Sequence, residues 1–242
     1  MVLVEVASNS VHSAIQAQKG GAKRIELCGN LMEGGTTPAK SQIELTRENV
    51  DIALNVIIRP RGGDFLYDEL ELESMRRDIR LCGEIGCDGV VIGVLDAYGN
   101  VDIAKNKELV EIAKELNLSV TFHRAIDRSR DIFEALETVI ELGCDRILTS
   151  GGFPNAYDGR EVIKKMVNQA GGRIVIMPGA GVNENNVSDI INYTGAAEIH
   201  GTFQSIFKGK MEYRNPNFTD NLEYSMLFSD EQKVQKIVKK LD

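Results

Sequence analysis

Ser119-Val-Thr-Phe-His-Arg-Ala-Ile-Asp-Arg-Ser-Arg-Asp-Ile-Phe-Glu-Ala-Leu-Glu-Thr-Val-Ile-Glu-Leu-Gly-Cys-Asp-Arg-Ile-Leu148 is one full repeat of a pattern that runs the length of the chain. It opens on a short run with strand-forming residues, Ser119–Phe122, passes through a polar tip, and enters Ile132–Leu142, whose apolar residues recur at helical spacing. Gly143-Cys144 then stops the helix, because glycine takes the left-handed conformation that a helix end needs without penalty. Arg146–Leu148 starts the next strand. A strand, a helix and a second strand in this order predict two parallel strands joined by a helical crossover.

Outward from that repeat, strand-like runs occur at Val2–Val6, Arg24–Leu27, Leu54–Ile58, Gly89–Val94, Ser119–Phe122, Arg146–Leu148, Arg173–Met177 and Ala197–His200. Helical segments such as Glu71–Ile85 and Ile103–Leu116 lie between them. The turns Gly21-Ala22, Gly86-Cys87 and Gly195-Ala196 repeat the Gly143-Cys144 stop signal. Eight such units in 242 residues predict an α/β chain forming a single (β/α)8 TIM-type barrel, with a doubly wound open sheet as the competing arrangement. No linker interrupts the series, so residues 1–242 read as one domain. Residues 208–242 read as a peripheral C-terminal segment: Lys208–Phe228 is polar and irregular. Ser229-Asp-Glu-Gln232 has capping-box spacing before a short basic helix through Leu241.

Composition removes several functions. The formal net charge of -8 argues against a nucleic-acid partner, which calls for a basic face. No run approaches the ~18 uninterrupted apolar residues of a membrane span. Met1-Val-Leu-Val-Glu5 reads as a strand rather than as a targeting segment. Four unevenly spaced Cys without a CxxC pair suit reduced thiols in a cytoplasm.

Active sites of such barrels lie at the carboxyl ends of the strands, and side chains alternate inward and outward along each strand. Parity sends Leu3, Glu5 and Ala7 to one face, and likewise Glu26 with Cys28, Thr121 with His123, and Glu198 with His200. Ile57, Arg59 and Arg61 share a face if the chain stays extended through Pro60. Two readings remain open. Either Arg and Glu tie neighbouring strands together with His123 as a core residue, or the cluster is a pocket. In the pocket, Arg59 and Arg61 clamp a carboxylate or phosphate, and Glu26 or His123 acts as general base or acid. The glycine-rich tips Thr149-Ser-Gly-Gly152 and Pro178-Gly-Ala-Gly-Val182 add a second anion signal, since backbone amides there cradle phosphate. Gly151, Gly179 and Gly181 are the candidates, although glycine also serves a tight strand-to-helix turn. Cys28 is the one thiol at a predicted tip. Cys82, Cys87 and Cys144 read as small buried apolar residues.

These tips resemble the signature segments of the CutC family. The resemblance rests on Gly21-Ala-Lys-Arg-Ile-Glu-Leu-Cys28, Glu33-Gly-Gly-Thr-Thr-Pro38, Ile58-Arg-Pro-Arg-Gly-Gly-Asp-Phe-Leu-Tyr67 and Thr121-Phe-His-Arg-Ala-Ile-Asp127. Arg146-Ile-Leu-Thr-Ser-Gly151 and Gly179-Ala-Gly-Val182 add to it. It runs from the first strand to Tyr213-Arg-Asn215 and implies a cytoplasmic, self-associating barrel linked to copper homeostasis, with Cu(I) held at the mouth by Cys28. Two positions depart from the family pattern: Ala7 stands where relatives often carry Cys, and Gly201 where they carry Ser or Cys. The expectations are therefore copper binding at Cys28, or binding and conversion of a small anionic metabolite by Glu5, Glu26, Arg59, Arg61, His123 and His200.

Overall fold

The strand-like runs become eight parallel strands: β1 (Leu3–Ser8), β2 (Arg24–Leu27), β3 (Ala53–Ile57), β4 (Gly89–Ile92), β5 (Ser119–Phe122), β6 (Arg146–Thr149), β7 (Val175–Pro178) and β8 (Glu198–Gly201). In this computed structural model residues 2–217 and 224–242 are described. The hydrogen-bonded order is β7-β6-β5-β4-β3-β2-β1-β8, and β7 packs beside β8 without a ladder among the described residues. The result is a (β/α)8 barrel whose ring is nearly closed. Each predicted run lies within two residues of its strand.

Helices α1 (Val11–Lys19), α2 (Lys40–Asn49), α3 (Glu69–Ile85), α4 (Ile103–Glu115), α5 (Ile132–Glu141), α6 (Arg160–Ala170) and α7 (Val187–Thr194) make the crossovers. The outward residues of the strands, such as Ile25, Leu27, Leu54, Val56, Val120 and Phe122, are fully buried against them. Burial of that kind contributes about 25 cal/mol per Å² of apolar surface, so helix packing holds the barrel shape. Strand interiors then carry the polar residues.

The C-terminal segment, set at the periphery by the sequence, holds more structure than that reading expects. β9 (Gln204–Lys208) and β10 (Ser225–Ser229) pair antiparallel. α8 (Glu231–Leu241) packs against α1 and α7 and takes the place of the eighth barrel helix. Its Val234 and Ile237 are fully buried, whereas the exposed lysines that dominate its sequence gave it a surface character. Its N-cap is Asp230, which accepts from the amides of Gln232 and Lys233, while the Ser229 amide donates to Ser13 Oγ. Part of the predicted irregular stretch, 218–223, lies outside the described residues.

Candidate active site at the barrel mouth

Register decides what meets inside the barrel. Glu5 on β1 stands opposite Arg24 on β2 and His200 on β8. Arg24 bonds Glu5 through Nε and Glu198 through Nη2, and its Nη2 also reaches the Met177 sulfur at 3.3 Å. Arg146 Nε meets Glu198 at 3.2 Å. Two guanidiniums and two carboxylates therefore balance one another on the barrel floor. Burial pushes the Glu5 carboxyl up, but Arg24 and His200 outweigh it and hold the group at about 2. This is the strand-tying network that parity allowed for, and it absorbs Glu5 and Glu198.

Glu26 and His200 lie together with Glu5: one donor atom from each of the three lies within 4.8 Å of the others. His200 Nδ1 is 2.8 Å from Glu5 Oε1. Burial lowers the His200 pKa, and the carboxylates of Glu26 and Glu5 reverse that and raise it. Glu26 lacks such a partner. Its Oε2 is buried without a hydrogen bond, and burial pushes its carboxyl up to about 7, with Glu5 adding to the rise. A carboxyl poised there can take or give a proton near neutral pH.

Above this layer a cavity of ≈ 300 Å³ opens at the carboxyl ends of the strands, with Glu26, Arg59, His123, Arg124, His200 and Thr202 among its lining. Ala7, Leu31, Ile57, Phe65, Leu148 and Val182 supply apolar walls. Arg59 follows β3. Its Nη1 donates to the carbonyls of Glu33 (2.9 Å) and Gly35 (2.8 Å), and its Nη2 to that of Gly63 (2.8 Å). Its Nε is buried without a partner. His123 follows β5. Its Nδ1 accepts from the Ala125 amide at 3.2 Å, and its Nε2 has no partner. Burial, and then the Arg59 charge, drop the His123 pKa to about 3. A ring held neutral in this way offers a hydrogen bond more readily than a proton.

Arg61 does not join the site. The chain turns after Pro60, and Arg61 pairs with Glu71 (2.5 Å) and Asp64 (3.0 Å) over the Tyr67 ring. Parity failed because the backbone stops being extended there. Of the three candidate glycines Gly151, Gly179 and Gly181, only Gly181 lines the cavity. The Gly151 amide donates to Thr149 Oγ1 (2.8 Å) and the Gly179 amide to the Thr149 carbonyl (2.9 Å), which leaves neither for an anion. The tip after β6 already holds an anion from its own chain. Asp127 accepts from the amides of Ser150 and Gly152, each at 3.0 Å, and from Thr149 Oγ1 at 2.6 Å. It also pairs with Arg124 Nε at 2.8 Å and so fixes that guanidinium at the cavity rim. Sequence reasoning missed Asp127, Arg124, Arg24 and Arg146. Arg24 was legible by parity, two residues before Glu26; Asp127 was not, because apart from Arg124 its partners lie more than twenty residues away.

The fit to Cu(I) is poor. Cu(I) selects thiolate and thioether ligands. Cys28 is buried beside Ile57 and Val91, its thiol donates to the Ser8 carbonyl at 3.6 Å, and burial with Glu26 nearby pushes its pKa far up. Ala7, with no sulfur, stands directly across from Glu26 on the neighbouring strand. The donor atoms that do gather, from Glu5, Glu26 and His200, are oxygen and nitrogen, and Glu5 is already bonded to Arg24. An added cation would sit beside a buried guanidinium.

Comparison with known proteins follows the same motifs. The CutC family profile matches residues 2–205. A CutC from Parabacteroides distasonis is 51% identical over 216 residues, spanning 89% of this chain and 88% of its own. One from Xanthomonas axonopodis pv. citri is 46% identical over 235 residues, 97% of each chain. A solved CutC structure from Streptococcus agalactiae, with a provisional copper-homeostasis name, superposes with a TM-score of 0.79 at 33% identity. It covers 84% of this chain and 99% of that one.

Proposed function

Because the chain belongs to the CutC family, whose barrel it shares, we propose that it binds a small anionic metabolite bearing a carboxylate or phosphate in the barrel mouth, with Glu26 as the acid–base group. One observation carries this reading: three buried polar atoms without partners, Glu26 Oε2, Arg59 Nε and His123 Nε2, belong to residues that line the same cavity. A buried unsatisfied polar group costs about 1–3 kcal/mol, and native chains leave few of them. A ligand that accepts from Arg59 and His123 and meets Glu26 would satisfy all three at once. The apolar walls of Leu31, Ile57 and Phe65 restrict it to a small molecule.

Thermal unfolding with phosphate, sulfate, 2-oxo acids and sugar phosphates tests this. A ligand at 100 times its Kd stabilises by about 2.7 kcal/mol, and Arg59→Ala should abolish the shift. If no such anion moves the melting temperature of the parent protein, the reading fails.

The copper reading rests on the name of a solved relative and on the Glu5, Glu26 and His200 donors. An anaerobic Cu(I) titration against a competing chelator separates the two readings. We expect weak binding that Cys28→Ala leaves unchanged; tight one-to-one binding lost in that variant would favour copper instead. We place the activity in the cytosol, where four free, buried cysteines stay reduced.

A further inference from the structure

We infer that His123 is a fixed neutral hydrogen-bond donor to a ligand oxygen, and that the ligand is a carbonyl compound whose neighbouring carbon exchanges a proton with Glu26. This rests on the small-molecule reading of the mouth and adds the reaction class.

The tautomer of His123 follows from one contact. The Ala125 amide donates to Nδ1 at 3.2 Å, so Nδ1 carries the lone pair and the ring proton sits on Nε2. The ring cannot turn away easily. Gly93 packs so close that a Cβ there would lie 2.6 Å from Nδ1 and Cε1. The Phe65 ring centroid lies 4.9 Å from that of His123, with the two planes tilted by 49°. Phe65 also lies under Arg59, whose Cζ is 5.0 Å from the ring centroid. The Phe65 ring thus packs against both residues; His123 Nε2 and Arg59 Nε are buried without a hydrogen bond, and the Tyr67 hydroxyl lies beside the Arg59 guanidinium. Arg59 is immobilised by three backbone carbonyls, so the pair is preorganised.

Two fixed donors at one wall call for an oxygen that gains negative charge. A carbonyl oxygen meets that need, because enolisation turns it into an oxyanion. A neutral imidazole is the fitting partner, as a hydrogen bond to it strengthens while charge develops. Among the described residues lining the cavity, Glu26 is the remaining one with an unpartnered buried atom, and its carboxylate is an acceptor. Its carboxylate takes the proton from the carbon beside the carbonyl, the C–H electron pair forms the carbon–carbon double bond, and the carbonyl π pair moves onto oxygen. Return of the proton to the same carbon, with the oxygen pair re-forming the carbonyl, closes the cycle. No oxidant, reductant or metal enters the balance.

Two measurements test the inference. Nitrogen-15 NMR of the histidine-labelled protein, with the His123 signal assigned through His123→Gln, should show the neutral Nε2–H tautomer throughout pH 5–8; a Nδ1–H or cationic ring overturns it. Incubation in D2O with 2-oxo acids and hydroxyketone phosphates, followed by proton NMR, should show deuterium entering beside the carbonyl of at least one probe. Glu26→Gln should slow this exchange by about 10²–10⁴-fold. His123→Ala should slow it by about 10²-fold, and His123→Gln, which keeps a donor amide, by less. A probe that raises the melting temperature through Arg59 yet exchanges no proton removes the carbonyl chemistry and leaves the binding site standing. If no probe binds or exchanges, both readings fall.

Discussion

Glu26 sits where its charge is costly, and that cost is measurable. Its folded pKa is raised from 4.5 to about 7, so its contribution to stability is complete below pH 4.5 and lost as pH rises through 7. His200, also raised, acts in the same sense. Glu5, held at about 2, acts in the opposite window: its stabilisation is present above pH 4.5 and lost as pH falls toward 2. Glu26→Gln should therefore raise the melting temperature at pH 8, by up to roughly 3 kcal/mol in stability, while removing proton transfer. Thermal melts from pH 5 to pH 8 should show a slope in the parent protein that flattens in the variant. The two arginines after β3 should behave differently, since Arg59 lines the cavity and Arg61 pairs with Glu71 and Asp64. Arg61→Ala should leave anion-induced stabilisation intact where Arg59→Ala removes it. Asp127→Asn should cost about 2–3 kcal/mol in denaturant unfolding, because the acceptor of two backbone amides and of Arg124 loses its charge.

At the scale of elements, most boundaries were legible because their signals are local. Gly86, Gly143 and Gly195 take left-handed backbone with φ of 82°, 80° and 73°, which ends or follows a helix wherever a glycine turn was read. Asp68, Asp102 and Asp131 cap α3, α4 and α5 through their side chains. The last helix was harder. Its buried stripe is only Val234 and Ile237, so its role as the eighth barrel helix depends on the space between α1 and α7 rather than on its own pattern. Gly20, the C-cap of α1, makes that space: a Cβ there would lie 2.6 Å from Val234 Cβ and 2.8 Å from the Glu231 carbonyl. Gly20→Ala should destabilise the protein by about 1–3 kcal/mol through overpacking, read in urea unfolding. An equal loss from a Gly29→Ala control, where the backbone is not left-handed and a Cβ would meet nothing nearer than 3.4 Å, would mean that the packing of α8 is not the cause.

At the scale of the whole molecule, the barrel puts a balanced ionic floor beneath a mouth whose polar groups are left unsatisfied. Among the described residues no helix is long and apolar enough to cross a membrane, and the acidic balance predicted from composition accompanies a site that still keeps the Arg59 guanidinium at its wall. The sequence by itself determined the barrel, because strand and helix periodicity, glycine stops and eightfold repetition are all carried by neighbours in the chain. It also determined the inward face of each regular strand, since side chains alternate there with a period of two. Only the tertiary structure decided which inward residues are spent and which are free. Arg24 neutralises Glu5, Asp127 fills the tip after β6, and Arg61 turns away beyond Pro60. Glu26, Arg59 and His123 each keep one unpaired polar atom. Pairing of that kind is a matter of distance between residues remote in sequence, and the barrel sets those distances only when its strands are in register.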